Sequence, residues 1–316
     1  MTDRSNLIPW FEKLEGAHIL VVGDAMLDRF VSGDVERISP EAPIPILRVR
    51  HESAMPGGAG NVVRNLAALG ASATFIGVAG TDAAADELQS ALAAHAGVSV
   101  DLIADTTRPT TIKVRYLAGS QQMLRTDWEA SEPFSEQIGD AVLSAALAAI
   151  PNCNAVVLSD YDKGVLADGR AAKIIAAANK AGKPVIVDPK GDDFGRYPGA
   201  ELITPNRKEL EHAANTTAGD DAAITAAALS LISKHSLGGM LVTRSADGMT
   251  LIDADGSAQH LAAESREVFD VSGAGDTVVA AVAAMIGAGA MVADAARVAN
   301  TAAGIVVAKV GTAVAY

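Results

Sequence analysis

Short runs of β-branched and other apolar residues alternate with helical patterns along most of the 316 residues. The first strand run is His18–Asp24, and the later ones fall at 73–80, 155–160, 184–189, 201–206 and 239–244. The intervening patterns predict helices at 58–69, 82–95, 168–181, 222–235, 274–286 and 292–309. This alternation is typical of βαβ units. The sequence therefore predicts an α/β fold with a mostly parallel central sheet.

Two stretches depart from this alternation, at 30–50 and at 110–125. The first contains three prolines between flanks of strand character, and the second predicts a hairpin around Ala118-Gly119-Ser120. β-segments inserted in an α/β chain suggest a small sheet that projects from the main layers. Its open face must cover a pocket, meet a partner, or both. Because no linker or repeat divides the chain, we expect one domain over 1–316, with these segments as a lid.

Composition and charge narrow the class of protein. Apolar residues make up 49% of the chain and aromatic residues only 4%, so the core must consist of Ala, Val, Leu and Ile. With 25 basic and 38 acidic residues, the net charge is −13. Such a surface repels nucleic acid and anionic membranes, so we expect neither as a partner, and any phosphate site must be a local basic pocket.

Targeting features point to the cytoplasm. The single cysteine, Cys153, cannot form an internal disulfide and fits a reducing compartment, where it would be a small buried apolar residue. The first residues lack the order of a secretion signal. The uncharged stretch at 278–293 is short for a membrane span and is rich in Gly and Ala, so it predicts a buried helix. We therefore expect a soluble cytoplasmic protein.

The strongest chemical signal is the motif Asp270-Val-Ser-Gly-Ala-Gly-Asp276-Thr, which an apolar helix follows directly. Gly273, Ala274 and Gly275 let the backbone approach a ligand closely, and their N–H groups at a helix N-terminus form an anion site. A carboxylate beside such a site makes sense if Asp276 accepts a proton from a hydroxyl while the amides hold a phosphoryl group. Asp276 as a plain helix cap is the alternative.

A second motif, Pro56-Gly-Gly-Ala-Gly-Asn61, enters an earlier helix and could alone be a generic tight connection. Together, the two motifs resemble the signatures of the ribokinase-like carbohydrate kinases. Weaker family features lie between them, namely Gly23-Asp24 with Asp28, Asn206-Arg-Lys-Glu209, and Asp247-Gly248. The resemblance covers nearly the whole chain and implies a ribokinase-like three-layer sandwich with a small β lid.

The resemblance also implies roles for individual residues. Asp276 is the base, and Gly273, Ala274 and Gly275 form the anion hole for the γ-phosphoryl group of ATP. Asn206 and Glu209 order Mg²⁺ and the triphosphate through water. The nucleotide lies along Thr243, Gly248 and Asn300, and the sugar hydroxyls along Asp28, Gly57, Gly58 and Asn61. For Asn300 the alternative is an ordinary satisfied polar residue on a helix.

Finer details are similar to one branch, the bacterial heptose 7-phosphate kinases of lipopolysaccharide core synthesis. They are the segment at 33–45, Lys113-Val-Arg115, Gln121-Gln122 and Arg125-Thr-Asp127. This similarity implies ATP-dependent phosphorylation of the anomeric hydroxyl of D-glycero-D-manno-heptose 7-phosphate. Many members carry a cytidylyltransferase domain after the kinase, and a chain that stops at Tyr316 suggests the stand-alone form. Another sugar acceptor and a non-catalytic sugar sensor are the alternatives.

Three basic residues are candidates for binding the phosphate group of the substrate. Lys113 and Arg115 are two positions apart on a strand and therefore project from the same face. A solvated edge guarded by charge is the alternative. Lys190, in Val-Asp188-Pro-Lys190 at the carboxyl end of a strand, is a rival for the same role, since open α/β sheets bind ligands on that side.

The lid also predicts an assembly. A small sheet alone would expose Ile44, Ile46, Leu47 and Val49 and would leave unpaired edges. Two-fold pairing of identical lids buries these apolar residues and the unpaired edges, and two-fold dimers are the commonest soluble oligomers. We therefore expect a homodimer joined through the lid. The alternative is a monomer in which the lid folds over its own pocket.

Overall fold

The computed structural model describes residues 8–119, 121–264, 271–309 and 313–315. Within these ranges the strands are β1 (His18–Gly23), β2 (Ala25–Ile38), β3 (Pro45–Gly58), β4 (Ser72–Ala79), β5 (Val98–Ala104), β6 (Ile112–Ala118), β7 (Gln121–Trp128), β8 (Ala155–Ser159), β9 (Val185–Asp188), β10 (Leu202–Ile203), β11 (Gly239–Thr243), β12 (Met249–Asp253) and β13 (Ala258–Leu261). The helices are α1 (Ile8–Leu14), α2 (Ala59–Ala68), α3 (Ala83–Ala93), α4 (Glu136–Ala149), α5 (Arg170–Lys180), α6 (Arg207–Ala214), α7 (Asp221–His235), α8 (Ala274–Gly287) and α9 (Val292–Val306).

The central sheet has nine strands in the order β13-β12-β11-β10-β9-β8-β1-β4-β5. All neighbours are parallel except the β11–β12 and β12–β13 pairs. Helices cover both faces because the strands are apolar on both sides. In β1, Ile19 and Val21 face the core that α2, α8 and α9 share, while Leu20 and Val22 face the core on the side of α4, α5 and α7. The predicted α/β sandwich with a mostly parallel sheet is confirmed.

The carboxyl ends of the parallel strands bring polar residues to one edge of this sheet. Asp24 follows β1, Asp160 follows β8, and Asp188 ends β9. An isolated parallel bridge between Asn206 and Thr243 extends the β10–β11 pair toward the same edge. Ligands of open α/β sheets bind at this edge, which is where the predicted kinase motifs lie.

A second sheet of four strands, here the small sheet, has the order β3-β2-β6-β7. The β2–β3 and β6–β7 pairs are antiparallel, whereas β2 and β6 are parallel. The segments at 30–50 and 110–125 both contribute strands to it, and their role as a lid stays a prediction. Ser120, at the predicted hairpin turn, lies outside the described residues.

The strands of the small sheet are longer than the sequence predicts. β2 begins directly after Asp24, so the end of β1 leads into it across one residue. β3 runs through the glycines of the second motif to Gly58, which pairs with Ala25. The helix predicted from 58 therefore begins one residue later, at Ala59. Gly58 makes the turn into α2 with φ of 55°, a region that favours glycine.

The uncharged stretch near the C-terminus forms most of α8, whose residues from Asp276 to Met285 are all buried. Across the parts of the chain that the structure describes, the helices are all too short or too polar to cross a membrane. The last predicted helix, at 292–309, ends as α9 at Val306.

Candidate active site

Asp276 is the third residue of α8 and is only 5% exposed. The helix begins after Gly273, whose φ of 76° is left-handed and favours glycine. The Ala274 N–H donates to the Val271 carbonyl at 3.2 Å, and the Thr277 N–H donates to the Gly273 carbonyl at 3.0 Å. These bonds fix a tight turn whose first helical N–H groups have no partner within the helix. Asp270, the first residue of the motif, lies outside the described residues.

Two side chains donate hydrogen bonds to the Asp276 carboxylate. The Asn61 Nδ2 donates to Oδ2 at 2.7 Å, and the Tyr161 hydroxyl donates to Oδ1 at 2.7 Å. Behind this contact, the Thr277 hydroxyl donates to Asn65 Oδ1 at 2.9 Å, and Asn65 donates to the Asn61 carbonyl at 2.9 Å. The first two turns of α2 and the first turn of α8 are therefore joined by polar bonds in a buried region.

Burial raises the pKa of Asp276 to about 6. The hydrogen bonds from Asn61 and Tyr161 hold the pKa down, while the negative charge of Asp28 pushes it up. A carboxylate with this pKa is ionised at neutral pH and is a stronger base than an exposed aspartate. It can accept a proton from a hydroxyl held beside it.

Asp276 opens onto a cleft of about 380 Å³ between the central sheet and the small sheet. The small sheet supplies one wall and the turn before α8 supplies another. The lining residues are Met26, Asp28, Gly58, Lys113, Arg115, Arg125, Tyr161, Lys163, Lys190, Ser272, Gly273 and Asp276. The cleft therefore brings the predicted base together with Gly273 of the predicted anion turn and with several cations, and two of the four predicted sugar residues, Asp28 and Gly58, line it as well.

The cations of the cleft contact acidic side chains. Arg115 lies 2.8 Å from Asp28, and Lys163 lies 2.9 Å from Glu129. The other pairs are Lys113 with Asp127 and Glu129 at 3.3 and 3.6 Å, Arg125 with Asp127 at 2.9 Å, and Lys190 with Glu209 at 3.5 Å. The sequence predicted Lys113, Arg115 and Lys190 here. An anion that enters the cleft must compete with these carboxylates for the cations.

A second cavity, of about 510 Å³, lies on the other side of the same turn. Thr243, Gly248 and Asn300, the three predicted nucleotide residues, line it together with Ala274 and Gly275. Most of its remaining lining is apolar, from Met249, Val271, Val278, Ala303 and Val307. The turn at the start of α8 thus separates two cavities, which suits a group that passes from a ligand in one to a ligand in the other.

Asn300 has a structural role as well. Its Nδ2 donates to the Ala262 carbonyl at 2.8 Å, which satisfies the amide on its helix. The contact agrees with the ordinary-residue alternative, while the position in the second cavity agrees with a nucleotide contact. The role of Asn300 in binding stays a prediction.

Asn206 and Glu209 form a capping box at the start of α6. Asn206 Oδ1 accepts the Glu209 N–H at 3.0 Å, and Glu209 Oε2 accepts the Asn206 N–H at 2.9 Å. The capping box alone explains both residue types. Their remaining oxygen lone pairs are hard donors that fit Mg²⁺ through water. Among the described residues, no cluster of three or more His, Cys, Asp or Glu side chains forms a protein-only metal site.

The four predicted sugar residues divide into two groups. Asp28 and Gly58 line the cleft. Gly57 packs against Asp28, whose carboxylate occupies the space that a Cβ at position 57 would need. Asn61 is fully buried, and its amide contacts Asp276 and Arg64. Their contacts with a sugar stay predictions.

Sequence reasoning did not single out Tyr161 or Lys163. Both follow Asp160 in the loop after β8, at the carboxyl end of a buried parallel strand. Ligands gather at this edge of an α/β sheet, so the signal was present in the position of the loop.

Known proteins resemble this chain over most of its length. The family model described as pfkB family carbohydrate kinase matches residues 17–315. The bifunctional protein HldE of Paramagnetospirillum magneticum is 53% identical over 316 residues, which is 100% of this chain and 65% of that protein. HldE of Rhodospirillum rubrum is 53% identical over 300 residues, or 95% of this chain and 60% of that protein. The chain thus spans less than two thirds of these relatives, and the expected stand-alone form stays a prediction.

Solved structures share the fold. Arabidopsis thaliana ribokinase complexed with ribose and ATP superposes with a TM-score of 0.73 at 23% identity, over 93% of this chain and 94% of that chain. Phosphofructokinase-2 from Escherichia coli in complex with potassium gives a TM-score of 0.77 at 23% identity, over 94% of both chains. These likenesses confirm the predicted ribokinase-like fold. Together with the family match, they show that the chain belongs to the pfkB family of carbohydrate kinases.

Proposed function

We propose that the chain transfers the γ-phosphoryl group of ATP to the anomeric hydroxyl of D-glycero-D-manno-heptose 7-phosphate. The products are the 1,7-bisphosphate and ADP, in the synthesis of ADP-heptose for the lipopolysaccharide core. One observation carries the reaction type. Asp276 lies at the turn between two cavities, with its carboxylate open to the cation-lined one.

In this mechanism the sugar occupies the cleft beneath the small sheet, with its anomeric hydroxyl against Asp276. Asp276 accepts the hydroxyl proton as the oxygen attacks the phosphorus. The N–H groups of the turn at Gly273, Ala274 and Gly275 stabilise the negative charge on the transferring group, for which the Ala274 N–H exchanges its 3.2 Å bond to the Val271 carbonyl for a phosphoryl oxygen. Because phosphoryl transfer depends on positioning and charge stabilisation, a fixed turn and a buried base are the groups it needs.

The nucleotide occupies the second cavity, where Thr243, Gly248 and Asn300 contact it. The apolar residues there suit the base of ATP, and the open end at Ala274 and Gly275 suits its phosphates. Mg²⁺ bound to the phosphates would neutralise charge on them. Asn206 and Glu209 would hold it through water, and Lys190 links Glu209 to the cleft.

The phosphate of the acceptor is bound by cations of the small sheet. Lys113 and Arg115 lie on the same face of β6, and both line the cleft. In a protein of net charge −13, such a cluster is a specific feature rather than a general surface property. The choice of a heptose 7-phosphate rests on the similarity of these segments to the heptose 7-phosphate kinases, and the identity with the HldE proteins supports it.

The outer face of the small sheet suits a two-fold homodimer. It forms an open apolar hollow of about 480 Å³, with Val31, Val49, Val114, Tyr116 and Trp128 in its lining. Val49 and Trp128 are 53% and 52% exposed. Pairing with the same face of a second copy would cover this surface. With one buried cysteine and an ATP-dependent reaction, the cytoplasm is the proposed location.

One measurement separates the proposed function from two alternative functions. The first is the same chemistry on another acceptor, such as fructose 1-phosphate, a free pentose or a nucleoside, and the second is a non-catalytic sugar sensor. ATP turnover should be measured by ADP release with a panel of these acceptors, heptose 7-phosphate and free heptose. We expect the highest kcat/KM for heptose 7-phosphate. A higher kcat/KM for another sugar would identify that sugar as the acceptor instead. No turnover with any acceptor would favour the sugar sensor.

A further inference from the structure

Tyr161 is the second hydrogen-bond donor to the base. Its hydroxyl donates to Asp276 Oδ1 at 2.7 Å, while Asn61 donates to the other oxygen at the same distance. The two donors come from different parts of the fold, the loop after β8 and the first turn of α2. Tyr161 also lines the cleft in which the acceptor is proposed to lie.

The backbone of this loop is fixed by a single buried carboxylate. Asp24, 1% exposed, accepts the N–H of Tyr161 at 2.8 Å, of Lys163 at 3.1 Å and of Val165 at 3.2 Å. In addition, the Asp162 N–H donates to Asp160 Oδ1 at 2.8 Å. The backbone of Tyr161 is therefore held by the residues that follow β1 and β8, independently of Asp276.

We propose that Tyr161 is a positioning residue that fixes the rotation of the Asp276 carboxylate and so aims its remaining lone pairs at the acceptor hydroxyl. An aspartate side chain rotates over a broad range about its last torsion. One donor leaves that rotation loosely defined, whereas donors on both oxygens define it. An ionised carboxylate has about four lone-pair positions, so two remain for the sugar. This inference rests on the proposed role of Asp276 as the base.

A purely structural bond is the alternative. Both roles predict a change in the ionisation of Asp276 when the hydroxyl is removed, and a loss of kcat at nearly constant KM separates the positioning role from the structural one. The charged and titratable groups around Asp276 include Asp28 on β2, Arg64 on α2, Asp188 on β9 and Tyr161 itself, and the cleft adds the cations Lys113, Arg115, Arg125, Lys163 and Lys190. Tyr161 is uncharged at pH 7, so its hydroxyl can be removed without changing the charge around Asp276. Because the hydroxyl stabilises the ionised carboxylate, its loss should raise the pKa of Asp276.

The test compares Tyr161→Phe with Tyr197→Phe. Tyr197 is a matched control, since its buried hydroxyl donates to Asp160 Oδ2 at 2.7 Å, a different carboxylate. Two quantities are measured for each variant: the ¹³C NMR titration of the Asp276 carboxyl without ligands, and the pH dependence of kcat with ATP and heptose 7-phosphate. For Tyr161→Phe we expect the Asp276 midpoint to rise by about one pH unit and kcat to fall about tenfold, with KM changed less than about threefold. Tyr197→Phe should move neither midpoint nor kcat.

An unchanged Asp276 titration or an unchanged kcat in folded Tyr161→Phe overturns the role of Tyr161. If that variant does not fold, a fluorinated tyrosine at 161 replaces it. The stronger donor should then lower the Asp276 midpoint, and a midpoint that stays in place overturns the proposal. Because the titration needs no sugar, it is independent of the acceptor. Absence of turnover by the unmodified protein would overturn the proposed function instead.

Discussion

Asn61 and Asp276 are 215 positions apart, yet the Asn61 side-chain amide donates a 2.7 Å hydrogen bond to the Asp276 carboxylate. Each is the third residue of its helix, in α2 and α8 respectively. The motif at 56–61 therefore contacts the carboxylate of the motif at 270–277 directly, through a buried hydrogen bond. Removing either partner would destabilise the fold, since a buried polar group without a hydrogen-bond partner is unfavourable.

Asp276→Asn should lower kcat about 10²–10⁴-fold, because an amide cannot accept the hydroxyl proton. KM should change little, because the base acts in the transition state. Steady-state ADP release with ATP and heptose 7-phosphate measures both quantities. Asp294→Asn is the matched control, the same substitution in the first turn of the next helix, and should retain full activity. More than a tenth of the original kcat in Asp276→Asn would show that Asp276 is not the base.

The same variant should stabilise the protein at pH 8. Burial raises the pKa of folded Asp276 to about 6, against an ordinary value of 3.8. The stability gained from proton binding is fully present below pH 3.8 and is lost as pH rises through 6, so at pH 8 the buried charge is a cost. An amide removes that charge but accepts only one of the two donated bonds, so we expect a net gain of about 1 kcal/mol in the free energy of unfolding.

Urea unfolding at pH 8 and pH 5 measures this effect. At pH 5, Asp276 in the unmodified protein is mostly protonated, so the advantage of the asparagine should shrink. A variant that is less stable at pH 8, by an amount that does not change with pH, would contradict the raised pKa.

The sequence predicted the parallel sheet because apolar strand runs and helix patterns are local properties. It missed the half-exposed edge strand β5, whose burial alternates and whose polar residues interrupt the apolar run. It also missed Tyr161, whose contact with Asp276 joins residues 115 positions apart. Lys113 and Arg115 were predicted to share a face from strand periodicity. The partner of Arg115, Asp28, comes from β2, and only the pairing of β2 with β6 brings the two together.

Lys113 should determine the preference for a phosphorylated acceptor. The unmodified enzyme should use heptose 7-phosphate with a far higher kcat/KM than free heptose. Lys113→Met removes a charge from the cleft and should raise KM for heptose 7-phosphate about tenfold, while kcat/KM for free heptose stays nearly constant. Lys173→Met, on the exposed face of α5, is the control and should change neither. Equal kcat/KM for the two sugars in the unmodified enzyme would exclude both the phosphate site and the heptose branch.

Asp24 should be a structural residue whose loss destabilises the site loop. Its carboxylate accepts three backbone N–H groups, and burial together with the charge of Asp160 raises its pKa to about 6. Asp24→Ala leaves those donors without an acceptor and should lower the free energy of unfolding by about 2–5 kcal/mol. Asp24→Asn keeps one accepting oxygen and should lose less. Urea unfolding ranks the two variants, and a loss below about 1 kcal/mol for alanine would show that water replaces the carboxylate.

The homodimer should depend on the outer face of the small sheet. Val49, 53% exposed, lies in its apolar hollow, and Leu47, two positions earlier on β3, shares its face. A charge at either position would be buried without a partner in a two-fold interface, which disfavours association strongly. Light scattering at micromolar concentration should give twice the chain mass of 32.2 kDa for the unmodified protein, and the chain mass itself for Leu47→Asp and Val49→Asp. Met291→Asp, at an exposed apolar position beside α9, should leave the dimer intact. A monomeric unmodified protein would exclude the dimer, and a dimer that survives both substitutions would place the interface on another surface.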